Sequence, residues 1–165
     1  MSTIKANKIE NLTTSDGGVS IDNTGKVTID GVLVGDGAGT GSNNTAVGTD
    51  VLGANTSGEK NVAVGNFALD SNTTASNNTA VGYAALDANT TGTQNVAVGS
   101  NALDANTTAN QNTAVGYNAL TALNSGNSCT AVGSQALESC TTGSDNTAVG
   151  QKALEANTTG GYNTA

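Results

Sequence analysis

A five-residue phrase, N-T-A-V-G or a near variant, begins at Asn44, Asn61, Asn78, Asn95, Asn112, Cys129 and Asn146, and starts again at Asn163. The interval is 17 residues every time, without insertion, across seven full copies. Such constancy means that each copy is one structural unit and that successive units stack on one another. Aligned on the period, the repeat reads N-[TV]-A-V-G-x-x-A-L-x-[AS]-N-T-T-[GA]-x-x.

The breakers in the repeat decide what the unit is. Seventeen is half of a 34-residue helical repeat, but an α-solenoid needs a helix of ten or more residues in each copy. Gly at position five and the N-T-T-G run at positions twelve to fifteen leave only about six residues between breakers. Leucine-rich repeats carry several Leu per copy, and this one carries a single Leu. The pattern therefore predicts an all-β fold, a parallel β-roll or β-solenoid with one 17-residue repeat per coil. The expected coil has a short strand at T-A-V, a turn at Gly, a second short strand near A-L and a polar turn at N-T-T-G. Parallel strands of successive coils would lie roughly 4.8 Å apart, making a rod on the order of 34 Å long.

Constant positions suggest the interior. Position four is Val in all seven copies (Val47, Val64, Val81, Val98, Val115, Val132 and Val149), and position nine is Leu (Leu52, Leu69, Leu86, Leu103, Leu120, Leu137 and Leu154). These fourteen residues are the expected core ladder. Asn at positions one and twelve is expected to form ladders in which each side-chain amide bonds to its counterpart in the next coil. One Val, one Leu and about three Ala per coil are little apolar area against the entropy of ordering a whole coil. A lone roll would be marginal, so the chain is expected to be an obligate oligomer, a homotrimer sharing its Ala and Val face.

Composition narrows the function. Leu, Ile, Val and Phe make up under a fifth of the chain and the net charge is −8, values that would signal disorder without the period. The chain has no His, Trp, Pro or Arg. A catalytic imidazole and a bidentate phosphate clamp are thus absent, which points away from an enzyme and from any cofactor. Five Lys against thirteen acidic residues argue against nucleic acid as a partner. The longest apolar run is four residues, Tyr83 to Leu86, and the N-terminus has no secretory signal pattern, so neither membrane insertion nor export by its own signal is expected.

Residues 1–42 differ in kind. All four Ile and three of the five Lys lie there, and K-V-T-I-D-G-V-L-V-G from Lys26 alternates like a half-buried strand. T-I-K-A-N-K-I-E-N-L does so weakly. This part is expected to be a β-rich attachment or collar segment, with residues 35–42 as a Gly-rich linker and 43–165 as the roll. The Gly run lacks the spacing and the following helix of a phosphate-binding loop. Because the chain stops three residues into an eighth copy, a longer protein with more shaft or a receptor-binding tip is expected.

Candidate sites are few. Cys129 and Cys140 occupy one coil and replace the Asn of positions one and twelve. They are either two independent small buried residues or, if the two Asn ladders face each other, a neighbouring thiol pair able to form a disulfide. Two thiols without His make a zinc site improbable, and no metal is assigned. Position ten carries Asp70, Asp87, Asp104, Glu138 and Glu155. That acidic ladder is read as a splayed, solvated edge rather than a Ca²⁺ site. Phe67, Tyr83, Tyr117 and Tyr162 form no regular stripe and suggest turn packing or inter-chain contacts. Thr at positions thirteen and fourteen raises an ice-binding solenoid as a minor alternative, weakened because adjacent residues of a strand face opposite ways.

Read as NTAVGYAALDANTTGTQNVAVGSNALDANTT, the repeat resembles the 17-residue repeats of bacteriophage fibre proteins, particularly those of phages infecting marine cyanobacteria. It is more distantly similar to the A-V-G/A-I-G coils in the heads of trimeric autotransporter adhesins. The resemblance covers residues 44–165, and the opening MSTIKANKIENLTTSDGGVSI also looks like the start of phage virion structural proteins. It implies a left-handed trimeric roll acting as a virion fibre, tail fibre or similar appendage. Such a fibre would be held to tail or capsid proteins by its N-terminal segment and would project toward a host surface receptor. A cell-surface adhesin head is the alternative.

Overall fold

A computed structural model describes residues 19–21, 27–29 and 32–165. Ten short strands form one sheet in sequence order: β1 Val19–Ile21, β2 Val27–Ile29, β3 Val32–Gly35, β4 Thr45–Gly48, β5 Val62–Val64, β6 Thr79–Val81, β7 Val96–Val98, β8 Thr113–Val115, β9 Thr130–Val132 and β10 Thr147–Val149. From β4 to β10 every pairing is parallel, and each residue faces its equivalent one repeat on: Thr45 pairs Val62, Ala46 pairs Ala63, Val47 pairs Val64. The result is a β-solenoid with one 17-residue coil per repeat. No helix occurs among the described residues.

Each strand is the T-A-V or V-A-V triplet, where β-branched residues flank Ala and favour extended backbone. Gly at position five ends it. These glycines hold φ between 128° and 146°, and they stack so closely that a Cβ on Gly48 would sit 2.6 Å from the Gly65 carbonyl oxygen. Only Gly fits that backbone and that approach.

The second strand expected near A-L does not form. Positions six to eleven are a turn, with positive φ at position seven (Asp50, Phe67, Ala84, Asn101, Asn118, Gln135, Lys152) and at the Leu of position nine, whose φ lies between 49° and 54°. Left-handed backbone costs an L-residue roughly 1–2 kcal/mol. Full burial of a Leu side chain contributes about 1.5–3 kcal/mol, so the burial carries the strain. Coil-to-coil hydrogen bonds continue through this turn regardless of strand geometry: Leu52 N–H to the Ala68 carbonyl (3.1 Å), Ala54 to Asp70 (2.8 Å) and Thr56 to Thr73 (2.8 Å). The backbone is thereby satisfied around most of the coil.

The core also differs from the expected ladder in one half. Leu52, Leu69, Leu86, Leu103, Leu120 and Leu137 are fully buried, and Leu154 is half-buried in the last full coil. Val47, Val64, Val81, Val98, Val115, Val132 and Val149 are not core; they are half-buried or exposed and point away from the coil interior. Alternation explains it. In a three-residue strand the middle side chain faces opposite to its neighbours. Ala at position three takes the inside, as Ala46, Ala63, Ala80, Ala97, Ala114, Ala131 and Ala148 are all fully buried. The interior holds that Ala, the residue at position eight (Val51, then Ala68 through Ala136), and Leu.

The N-terminal strands belong to the same sheet. β1, β2 and β3 pair antiparallel in turn, and β3 runs antiparallel along β4, with Val34 opposite Val47. The strand expected from Lys26 is therefore a hairpin whose second arm covers the free edge of the first coil. T-I-K-A-N-K-I-E-N-L lies outside the described residues. The Gly-rich run is not a free linker but a partial coil packed on the first repeat. Ala38 N–H donates to the Leu52 carbonyl, Thr40 N–H to that of Thr56, and Asn55 Nδ2 to that of Ala38.

Candidate functional site

With Ala turned inward, positions two and four of every coil form the outer face of the parallel sheet. Val occupies position four without a break from Val47 to Val149, and Thr or Val occupies position two (Thr45, Val62, Thr79, Val96, Thr113, Thr130, Thr147). Val62, Val98 and Val132 keep 36–37% of their surface exposed, and Val149 keeps 62%. These positions form a continuous rank of uncharged, β-branched side chains in parallel register along the described coils. Reading Val as core missed it. The signal available was the constant Ala between two β-branched residues.

Two Asn ladders run inside the roll, and they work differently. At position twelve the amides bond one another: Asn72 Nδ2 donates to Asn55 Oδ1 (3.0 Å), Asn89 to Asn72 (3.2 Å) and Asn106 to Asn89 (3.0 Å). At position one bonding to backbone replaces the expected amide-to-amide bonding, except at the last rung, where Asn163 Nδ2 also donates to Asn146 Oδ1 (2.9 Å). Asn44 Oδ1 accepts from the Asn61 backbone N–H (2.9 Å), while Asn61 Nδ2 donates to the Ala75 carbonyl (2.9 Å). Both ladders are buried. In the coils that keep both Asn they aim at the same carbonyl, at position fifteen: Asn78 and Asn89 both donate to Gly92 O, at 2.8 and 3.0 Å.

Cys129 and Cys140 inherit this arrangement. Both are fully buried free thiols, and both lie against the carbonyl oxygen of Gly143, Cys129 Sγ at 3.2 Å and Cys140 Sγ at 3.6 Å. The two Asn ladders face each other, so the cysteines are neighbours rather than independent fillers. Burial pushes both thiols above the ordinary value.

The acidic ladder is less solvated than expected. Asp70, Asp87, Asp104, Glu138 and Glu155 are half-buried rather than splayed into water. Desolvation raises the carboxyl of Asp70, with the Asp50 charge adding to it. Desolvation likewise raises Asp87, helped by the neighbouring Asp104 and Asp70, and raises Asp104. Glu138 instead accepts from Asn118 Nδ2 (3.0 Å) and Gln135 Nε2 (2.9 Å), and Glu155 pairs with Lys152 at 2.9 Å. Among the described residues no group of three or more His, Cys, Asp and Glu is placed to hold a metal ion.

Phe67 and Tyr83 pack edge to face across adjacent coils, with centroids 5.8 Å apart, while Tyr117 and Tyr162 are exposed. Position-thirteen hydroxyls are engaged: Thr56, Thr73 and Thr90 Oγ1 each donate to the position-thirteen carbonyl of the next coil at 2.8–3.0 Å. That bonding removes one of the two Thr ranks on which ice binding would have relied.

No protein-family model, curated protein or solved structure matches this chain.

Proposed function

We propose that this protein is a non-catalytic structural fibre of a bacteriophage virion, a shaft that three copies build by covering one another's outer sheet faces. The observation that carries the reading is the unbroken outward rank from Val47 to Val149, with Thr or Val two residues before each. Such a rank leaves apolar surface in water along the whole stack in a single chain. A second and third copy would remove that surface from solvent at roughly 25 cal/mol per Å². The interior of one coil is built from two small residues and a Leu, so covering the outer Val face would add to a modest core. Identical coils in register also suit a straight, stiff appendage whose repeated weak contacts to a surface multiply into avidity.

The resemblance of residues 44–165 to phage fibre repeats supports the assignment to a virion. In this reading residues 1–42 hold the fibre to tail or capsid proteins, and the distal coils project toward a receptor on the host. Sedimentation equilibrium of the full chain tests the assembly, the expected mass being three times the 16.0 kDa of one chain. Val81→Lys with Val115→Lys should give single chains that retain the β circular-dichroism signal. A wild-type chain that sediments at its own mass overturns the trimer. Antibody labelling of purified virions tests the location, and a label found only on cell surfaces would favour an adhesin head instead.

A further inference from the structure

The sixth coil carries chemistry that a shaft does not require. In the coils that keep both Asn, the amides of positions one and twelve converge on one carbonyl, as Asn95 and Asn106 do on Ala109 O at 2.8 and 3.2 Å. The sixth is the only full coil in which both Asn are replaced, and both become Cys. A single loss elsewhere takes a different residue, Leu123 at position twelve of the fifth coil. Cys129 and Cys140 sit on Gly143 O at 3.2 and 3.6 Å, on the same side of the coil interior. Each thiol is a weaker donor than the amide it replaces. Hydrogen bonding therefore gives no reason for the double exchange, whereas covalent bonding does.

We propose that Cys129 and Cys140 form a dithiol site that a small-molecule disulfide, of the glutathione disulfide class, closes into a disulfide stapling the sixth coil. The sulfur of one cysteine, as thiolate, attacks the oxidant's disulfide, forms a mixed disulfide and releases one small thiol. The second cysteine, also deprotonated, attacks the protein sulfur of that mixed disulfide and expels the second small thiol. Two cysteine thiols are oxidised, one disulfide is reduced to two thiols, and the two cysteine protons end on the departing thiols. Burial keeps both cysteines in the thiol form, so the exchange proceeds when this coil opens or before it closes during folding. The exposed turn at Thr141 and Thr142 leads directly into Gly143 and is the part of this coil nearest solvent beside the two thiols. This site is independent of what the shaft is attached to.

Glu138 lies between the two cysteines, so a protease cutting after Glu separates them unless they are bonded. The full chain, unfolded and refolded with glutathione disulfide, is digested this way without reductant and weighed. The expected result is one species joining the peptides on either side of Glu138, which a reductant splits. Peptides carrying separate glutathione adducts, cysteines joined only between chains, or free thiols after refolding would overturn the proposal. The double variant Cys129→Asn and Cys140→Asn restores the ladder pattern, and it is expected to fold and to lose the oxidant-dependent rise in thermal midpoint. A rise that persists in that variant also overturns it.

Discussion

The side-chain amides of Asn44 and Asn55 meet on one atom, the carbonyl oxygen of Gly58, at 2.9 and 3.1 Å. The Gly58 backbone N–H in turn donates to Asn55 Oδ1 at 3.1 Å, so the turn is clamped from both directions. A polar turn folded against a thin interior would leave backbone groups without water. Two Asn per coil satisfy them, which is why a core so poor in large apolar residues tolerates buried amides.

The position-twelve ladder should be costly to cut. Asn89→Leu breaks two inter-coil amide bonds, to Asn72 and from Asn106, and leaves buried polar atoms unpaired. A loss of about 3 kcal/mol is expected in urea unfolding. Asn106→Leu breaks one inter-coil amide bond, to Asn89, because Leu123 stands on its other side, but it also breaks the two bonds Asn106 makes with Ala109 and should cost a similar amount. A loss under about 1 kcal/mol for either would contradict a bonded ladder.

Leu86 and Val81 lie five residues apart and face opposite ways, so truncation should separate their roles. Leu86→Ala opens a cavity in a fully buried site and should cost roughly 2–5 kcal/mol at any protein concentration. Val81→Ala removes methyls from the outer face. Its effect should be small in dissociated chains and appear as a lower thermal midpoint whose size depends on concentration. A Val81→Ala cost as large as that of Leu86→Ala in isolated chains would place Val81 inside after all.

Gly99 should not accept a side chain. Its φ is +137°, and an added Cβ would strike the Gly116 carbonyl of the next coil. Gly99→Ala is expected to destabilise by about 3 kcal/mol or more, read as a lower urea midpoint. Ser100→Ala, one residue on and half-buried, is the matching control and should shift little.

Charge in the acidic ladder should make neutral pH the less favourable condition for these groups. The folded values of Asp70, Asp87 and Asp104 are raised, so the folded state binds more protons than the unfolded chain in the window above the ordinary value of about 3.9. Their contribution is therefore fully present below that value and is lost as pH rises through the raised folded values. Asp87→Asn should show no advantage over wild type near pH 3 and a higher thermal midpoint at pH 7. An advantage that shrinks with rising pH would reverse the sign and refute the stacking account.

Much of this architecture is carried by the one-dimensional pattern. An uninterrupted 17-residue period, a Gly that stops each T-A-V triplet and a Leu in every copy lead to stacked β coils with Leu inside. Register follows too, because equivalent residues must meet when identical units pile up. Three things required the folded coil. Whether Ala or Val takes the interior depends on how the coil closes over the side chains at positions eight and nine, five and six residues further on, which turns the middle residue of each strand inward. The A-L segment has the residue types of an extended strand, yet closing so short a loop demands left-handed backbone at two positions, and the gain from burying Leu holds it there. Cys129 and Cys140 are eleven residues apart along the chain, and only the wrap of the coil brings both sulfurs to one carbonyl. Periodicity is local information written many times; inside and outside are decided by contacts between parts of the coil that the chain keeps far apart.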